Sequence, residues 1–238
     1  MIDDLVTVVV PTSPVPSHPS TEVIERTIKS IRHHLPLASM QILCDGVRPE
    51  LQFRAQQYAE YISRLGQCCE KWEMCLVPFR RHRQQAGMLK VILQVIDTPL
   101  FMFAEHDAVL TENPIDWEAI VQLLMSGKAN TVRLYWNADL HPEHLHLMGE
   151  RCGDFVKTTQ WSGWPFIGRT DFYRRMMEEY FSSDDKQMLE TVLYSPVVSF
   201  PWETFRTWIY APPGNGVTFR HMDARRDPVT GEKDPGTW

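Results

Sequence analysis

The sequence predicts a single α/β domain in which helices flank a mostly parallel, Rossmann-like sheet. Three observations support this fold class. Strand-like and helix-like patterns alternate from the N-terminus, 43% of the 238 residues are hydrophobic, and an apolar strand at 100–104 runs directly into two acidic residues. Open sheets of this kind place their ligands at the carboxyl ends of the strands, so the acidic residues mark the expected site.

The first half of the chain has the order of a wound α/β sheet. The hydrophobic pattern predicts strand 5–10, helix 20–35, strand 41–44, helix 51–65, strand 74–77, helix 88–96 and strand 100–104. In the first helix, Ile24, Ile28, Ile31 and Leu35 form one stripe that should pack on the sheet, and Ser20 is a plausible N-cap. The strand at 100–104 is apolar throughout, which indicates burial on both faces.

The second half has shorter periodic runs. Residues 113–116, Asn-Pro-Ile-Asp, are expected to begin a helix with Asn113 as N-cap, which ends near Gly127 and leads into a strand at 131–136. Beyond residue 137 the chain is richer in Trp, Pro, Gly and His, which is typical of loops that build a pocket. Residues 223–238 are polar with Pro and Gly, and they are interpreted as an irregular tail.

Charge and cysteine content restrict the partners and the compartment. A net charge of −6 and a pI near 5.8 give no general attraction to nucleic acid or anionic membranes, so either partner would need a local basic patch. The N-terminus lacks the basic flank and long apolar core expected of a secretory signal, and no apolar run approaches the roughly 20 residues that cross a bilayer. The cysteines are odd in number and form no Cys-x-x-Cys pair, which favours free thiols in the cytoplasm over disulfides or zinc: Cys44, Cys68, Cys69, Cys75 and Cys152.

Glu105 and Asp107 are the strongest sign of chemistry. They follow the apolar strand and are separated by one residue, an acid-x-acid arrangement that offers hard oxygen ligands to Mg²⁺ or Mn²⁺. Such an ion can hold a diphosphate. A solvated loop after a strand is the alternative interpretation.

Four motifs in chain order carry a resemblance to a known family. They are Val8-Val-Val-Pro-Thr12, Ile42-Leu-Cys-Asp45-Gly46, Gln84-Gln-Ala-Gly87-Met-Leu-Lys90 and Glu105-His-Asp107. With them the chain resembles the GT-A glycosyltransferases, particularly the inverting family-2-like branch, although the first metal acid is Glu where the family has Asp. The resemblance implies transfer of a sugar from a nucleotide-diphosphate donor, by default a UDP-sugar, to an acceptor hydroxyl, with a divalent metal and with inversion. Residues 1–110 would bind the nucleotide sugar and 111–222 the acceptor.

Several residues could contact the donor. Thr12 and the neighbouring backbone can hydrogen-bond a base edge, Asp45 can accept from a ribose hydroxyl or base N–H, and the cluster of Arg80, Arg81 and Arg83 can face a diphosphate. A strand end, a turn and a solvated charged face are the respective alternatives. The predicted nucleotide-sugar contacts are Pro11, Thr12, Asp45, Arg83, Lys90, Glu105 and His106.

The resemblance also implies a third metal ligand, for which His221 is the candidate beside Glu105 and Asp107. His221 follows a strand-like segment at 217–220, and pairing with Asp223 is the alternative. A second group of histidines does not match the spacing of a zinc site and is interpreted as a loop: His141, His144 and His146.

An inverting transfer needs a base that takes the proton of the acceptor hydroxyl. The acids of Ser182-Ser-Asp184-Asp185 resemble the family's acidic pair, so Asp185 or Asp184 is the catalytic candidate; a plain helix N-cap is the alternative. The loop at 161–169 suits stacking on a sugar ring or base, which makes Trp161, Trp164 and Arg169 the predicted acceptor contacts. Burial of the tryptophans in the core is the competing interpretation.

Two other functions fit the same fold. A nucleotidyltransferase would normally show a loop rich in glycine and basic residues after the first strand. Residues 10–17 contain no glycine and no basic residue. A non-catalytic nucleotide-sugar-binding module would retain the fold without turnover. For the acceptor, a saccharide ranks above a hydroxymethylated base in DNA because the chain is acidic overall; such a base would have to be extruded into an aromatic pocket.

Overall fold

The structure is a computed structural model, and it describes residues 2–137, 139–182, 186–214 and 217–222. The strands are β1 (Val6–Thr12), β2 (Ser39–Cys44), β3 (Cys75–Pro78), β4 (Leu100–Phe103), β5 (Ala108–Leu110), β6 (Thr131–Leu134), β7 (Met148–Cys152), β8 (Phe155–Thr158), β9 (Phe166–Arg169), β10 (Thr207–Tyr210) and β11 (Phe219–His221). The helices are α1 (Glu22–His34), α2 (Ala55–Lys71), α3 (Gln84–Ile92), α4 (Trp117–Met125), α5 (Thr170–Tyr180), α6 (Leu189–Ser199) and α7 (Trp202–Phe205). Short 3-10 helices lie at Ile2–Asp4, Pro49–Arg54 and Pro142–Leu147.

Nine strands form one sheet in the order β3-β2-β1-β4-β9-β6-β10-β8-β7, and β5 pairs with β11 in a separate ribbon. All strands of the large sheet run in the same direction except β8 and β9, which are antiparallel to their neighbours. The predicted α/β fold with a mostly parallel sheet is therefore confirmed. The reversed β9 lies between β4 and β6, in the middle of the sheet, and the sequence pattern did not indicate this.

The core lies on both faces of the sheet because successive side chains of a strand point to opposite sides. In β1, Val8 and Val10 pack with Ile24 and Ile28 of α1, whereas Val9 belongs to the cluster on the other face. Each fully buried aliphatic side chain contributes on the order of 1.5–3 kcal/mol of transfer free energy. The apolar stripe predicted for the first helix is thus confirmed as the face of α1 that packs on the sheet.

The helix starts differ from the predicted ones. α1 has Thr21 at its N-cap position, and Ser20 Oγ instead accepts a bond from the amide of Glu22. α4 has Asp116 as its N-cap, with the carboxylate accepting from the amide of Ala119, so the prediction of Asn113 was wrong. Three residues earlier, Asn113 uses its side-chain amide to donate to the carbonyl of Val217.

The sheet brings the carboxyl ends of β1, β2 and β4 to one edge. β1 pairs in parallel with both β2 and β4, so Thr12, Asp45 and Glu105 emerge on the same side. None of the helices in the described ranges combines the length and apolar character needed to cross a membrane. All five cysteines are free thiols.

Candidate active site

A cavity of about 660 Å³ opens at the carboxyl ends of β1, β2 and β4. Its floor is formed by strand ends, through Pro11, Thr12 and Asp45, and α6 closes the opposite side. The acid-x-acid segment after β4 also lines it. The cavity therefore occupies the place where ligands bind to wound α/β sheets.

Glu105, Asp107 and His221 meet at this cavity. Their ligand atoms all lie within 4.8 Å of one another, with His221 Nε2 at 3.3 Å from Asp107 Oδ1 and 3.5 Å from Glu105 Oε2. The pairing of β11 with β5, which places His221 opposite Ala108, produces this convergence. Two carboxylates and an imidazole form a donor set suited to Mn²⁺ and acceptable to Mg²⁺.

The two acids are held differently. Asp107 is buried, and its carbonyl accepts from the amide of Met222, which ties it to the end of β11. Glu105 is more exposed and is oriented by Gln85, whose Nε2 donates to Oε1 at 2.5 Å. The remaining carboxylate oxygen, Oε2, faces His221.

A second cavity of about 350 Å³ adjoins the first. Trp164, His144 and His146 line it, and Glu190 and Tyr194 of α6 line both cavities. Trp164 also lies edge-on to Trp136, with ring centroids 5.4 Å apart. The site thus has an acidic compartment at the strand ends and an aromatic compartment beside it.

No protein-family model matches the sequence, and no curated protein matches it. Solved structures do match the fold. The structure of S. aureus TarS 1-349 is 10% identical with a TM-score of 0.53, over 92% of this chain and 61% of that one. The mannosyltransferase PcManGT from Pyrobaculum calidifontis, in complex with GDP-Man and Mn²⁺, is 14% identical with a TM-score of 0.51, over 90% and 58%.

The fold is that of the GT-A glycosyltransferases. A further TarS structure, in complex with UDP-GlcNAc, has a TM-score of 0.55 at 7% identity, over 90% of this chain and 57% of that one. The chain spans about three fifths of the length of these GT-A structures. At such identities the likeness establishes the fold, and the chemistry depends on the residues of this chain.

In this GT-A fold, Asp45 is fully engaged by the protein. Its Oδ1 accepts from the amides of Gly46 at 2.8 Å and Arg83 at 2.7 Å, while Oδ2 accepts from the amide of Gln84 at 3.0 Å and lies 2.8 Å from His82 Nδ1. A carboxylate has about four acceptor positions, and all are used. The predicted contact with a ribose hydroxyl or base N–H would have to compete with these contacts, and it stays a prediction; Asp45 does line the cavity.

Asp45 instead anchors the chain that precedes α3. Gln84 has φ of +59°, a left-handed conformation that is costly without glycine, and its amide is one of the donors to Asp45. Gly46 permits the close approach, because a Cβ there would lie 2.3 Å from the backbone carbon of Arg81. Asp45 thus stabilises the backbone next to the cavity by binding the amides of Gly46, Arg83 and Gln84.

Thr12, Pro11 and His106 lie where the donor contacts were predicted, in the cavity lining. Thr12 is only 2% exposed, and its Oγ1 is 3.2 Å from the hydroxyl of Tyr61. The backbone carbonyl of His106 accepts from Thr27 Oγ1. The buried side-chain Nε2 of His106 has no hydrogen-bond partner among the described residues.

The predicted cations lie elsewhere. The Arg83 guanidinium packs 5.5 Å from the ring centroid of Phe79, and Lys90 Nζ donates to the carbonyl of Phe181 at 2.8 Å. Neither side chain is among the described residues that line the cavity. Arg48 does line it, although it was not among the residues predicted from the sequence. The available signal was its place three residues after Asp45, beyond the carboxyl end of β2.

The three predicted acceptor residues have different positions. Trp161 is 1% exposed and packs against Phe166, which agrees with the alternative of a core tryptophan. Trp164 lines the second cavity as predicted. Arg169 pairs with Leu100 at the opposite end of β4 and binds Asp171, so it is remote from both cavities because β9 is antiparallel to β4.

Arg133 of β6 is a buried cation behind the second cavity that the sequence analysis did not identify. Its guanidinium donates to the carbonyl of Gln160 and to Ser162 Oγ and lies 5.8 Å from the ring centroid of Trp164. Burial lowers the pKa of Arg133 to about 10, against the opposing influence of Glu190. Through these two hydrogen bonds, Arg133 holds the loop that carries Trp164.

The predicted catalytic acids Asp184 and Asp185, like residues 223–238, lie outside the described residues.

Proposed function

We propose that this protein is a metal-dependent glycosyltransferase that moves a sugar from a nucleotide-diphosphate donor to an acceptor hydroxyl. The observation that carries this proposal is the meeting of Glu105, Asp107 and His221 at the cavity of a GT-A fold. The fold neighbours bound to UDP-GlcNAc and to GDP-Man with Mn²⁺ support it. UDP remains the proposed donor nucleotide, and the five free thiols are consistent with the proposed cytoplasmic location.

The residues have separate roles in the proposed reaction. Glu105, Asp107 and His221 would hold Mn²⁺ or Mg²⁺, which when bound neutralises the diphosphate of the leaving group. Arg48 would contact a phosphate or the ribose, and Thr12 with the backbone of Pro11 would face the nucleoside. Transfer with inversion further requires a base on the acceptor side, for which the sequence suggests Asp185 or Asp184.

The second cavity is the proposed acceptor site. Trp164, His144, His146 and Tyr194 give it aromatic walls, and Glu190 is the one charged side chain among the described residues that line it. Such a lining suits a neutral ring that carries a hydroxyl and can stack on an aromatic face. A saccharide is the preferred acceptor class, and a hydroxymethylated base in DNA is the second.

Donor turnover is the direct test. The full chain would be incubated with UDP-glucose, UDP-GlcNAc and GDP-mannose, with Mn²⁺ or with EDTA, and release of the nucleoside diphosphate measured. We expect metal-dependent release, with a slow rate in water that rises when the right acceptor is present. Mass spectrometry over saccharides and over single- and double-stranded DNA containing hydroxymethylated pyrimidines would then identify the acceptor.

Other outcomes of this experiment contradict the proposal. Release of pyrophosphate from a nucleoside triphosphate, without release from nucleotide sugars, would indicate a nucleotidyltransferase. Tight binding of nucleotide sugars without turnover under any acceptor would indicate a binding module.

A further inference from the structure

We infer that Glu190 is the general base that takes the proton of the acceptor hydroxyl; this inference rests on the proposed glycosyltransferase function. Among the described residues, Glu190 is the one carboxylate that lines both the cavity with the metal acids and the aromatic cavity beside it. A base in such a transfer must lie where the acceptor hydroxyl meets the sugar. With the donor in the first cavity and the acceptor in the second, as proposed, that place is the junction of the two cavities.

The Glu190 side chain is also oriented by a contact outside its own helix. Glu190 lies in the first turn of α6, where an acid could serve only to favour the helix dipole. Its Oε2, however, accepts a hydrogen bond at 3.3 Å from the amide of Gly163, in the loop between β8 and β9. This long-range contact aims the carboxylate at the loop and the cavities.

Gly163 leaves a space between three side chains. A Cβ at this residue would lie 3.8 Å from Glu105 Oε1 and 3.9 Å from both Glu190 Oε2 and Gln85 Oε1. The carboxylates of Glu105 and Glu190 therefore both lie next to Gly163, a residue without a side chain.

A buried arginine of the sheet binds the loop that carries Gly163. Arg133, fully buried in β6, donates to the carbonyl of Gln160 at 3.1 Å and to Ser162 Oγ. Since Ser162 and Gly163 are adjacent, Arg133 is a positioning residue for the amide that binds Glu190. The carboxylate is thereby fixed through rigid sheet structure, as a catalytic group requires.

The acceptor hydroxyl gives its proton to the Glu190 carboxylate as its oxygen forms a bond to the anomeric carbon. The bond from that carbon to the phosphate oxygen breaks, and the nucleoside diphosphate leaves with the electron pair. Glu190 then returns the proton to solvent.

The test compares Glu190→Gln with Glu178→Gln, which makes the same change at an exposed position on α5. Release of UDP from saturating UDP-glucose or UDP-GlcNAc with Mn²⁺, whichever the parent turns over, would be measured in a single turnover. We expect Glu190→Gln to slow release by about 100-fold or more, with UDP and Mn²⁺ affinity by calorimetry and the melting temperature unchanged. Glu190→Asp, which keeps a carboxylate, should retain more activity than Glu190→Gln.

The outcomes separate the inference from the function on which it rests. If the parent binds UDP and Mn²⁺ and turns over donor, but Glu190→Gln does so at the parental rate, the inference is wrong and the proposed function stands. Loss of turnover in Asp184→Asn or Asp185→Asn, with Glu190→Gln unaffected, would overturn it as well. If the parent neither binds nor turns over any donor, the proposed function fails first.

Discussion

His221 Nε2 lies 3.3 Å from Asp107 Oδ1, although the two residues come from distant parts of the chain. The antiparallel pairing of β5 with β11 produces this contact, since Ala108 faces His221 and the amide of Met222 donates to the carbonyl of Asp107. The backbone pairing therefore brings His221 Nε2 and Asp107 Oδ1, two of the three candidate ligand atoms, close together. A metal ion bound there would be held by the fold and would in turn link β11 to the main sheet.

Removal of Asp107 should strongly weaken metal binding while leaving the fold intact. In Asp107→Ala we expect Mn²⁺ affinity to fall by on the order of 100-fold, because one of three protein ligands is lost, and transfer to disappear. Titration of Mn²⁺ followed by electron paramagnetic resonance measures the affinity. In the parent, Mn²⁺ should also raise the melting temperature, and in the variant it should not. Asp97→Ala, at an exposed residue outside the cavity, is the control. Parental activity of Asp107→Ala in EDTA would contradict the metal assignment.

The convergence of Glu105, Asp107 and His221 was the part of the candidate site that sequence could predict. An acid-x-acid pair after a wholly apolar strand suggested a site at the carboxyl ends of the strands, and the other motifs in chain order favoured this over a solvated loop. The identity of His221 came from the family resemblance, and the structure brings it to the two acids. The wound order of the first strands could likewise be predicted, because alternating apolar segments leave few topologies.

Other residues could not be assigned from local pattern. Trp161 and Trp164 occur in one short loop, yet one is buried in the core and the other lines a cavity, because the loop turns between them. Arg169 was predicted at the acceptor site, but the reversed direction of β9 carries it to the opposite sheet edge. Glu190 has the sequence signature of an ordinary first-turn acid, and its position on both cavities and its contact with Gly163 became visible only in the structure.

Arg48 should be the cation that matters for donor affinity. Arg48→Ala is expected to weaken UDP binding by about 10-fold or more, since a charge-assisted hydrogen bond contributes roughly 1.5–3 kcal/mol. The comparison variant is Arg83→Ala, the residue predicted from sequence, whose guanidinium packs on Phe79. Isothermal calorimetry with UDP and Mn²⁺ measures both. A larger loss in Arg83→Ala than in Arg48→Ala would reverse the assignment.

Asp45→Ala should chiefly reduce stability. The variant would leave the amides of Gly46, Arg83 and Gln84 without their buried acceptor, and we expect a loss of about 3 kcal/mol or more in the free energy of unfolding. Urea denaturation measures this loss. Nucleotide affinity should fall only to the extent that the loss of these hydrogen bonds distorts the cavity. An unchanged unfolding free energy together with a rise in the dissociation constant for UDP would support the direct nucleotide contact predicted from sequence.

His18 should make the fold sensitive to mild acid. The residue is 6% exposed, its ring stacks on Tyr61 with centroids 3.7 Å apart, and Nδ1 accepts from the amide of Val15. Burial, followed by electrostatic interaction with His106 and with Arg54, lowers the pKa of His18 from 6.5 to about 3. The unfolded chain therefore binds a proton between these values that the folded chain does not, so the stabilisation from neutral His18 is complete above pH 6.5 and is lost as pH falls toward 3.

The slope of stability against pH tests this account of His18. Unfolding free energies from urea titrations between pH 7.5 and pH 4 should fall in the parent by up to about 1.4 kcal/mol per pH unit from this residue alone. His18→Gln removes the titrating group, so it should be less stable at pH 7.5, because the ring stack is lost, yet show a flatter slope below pH 6.5. His33→Gln, at an exposed position on α1, should keep the parental slope. Parallel curves for the parent and both variants would mean that His18 is not held neutral by its burial.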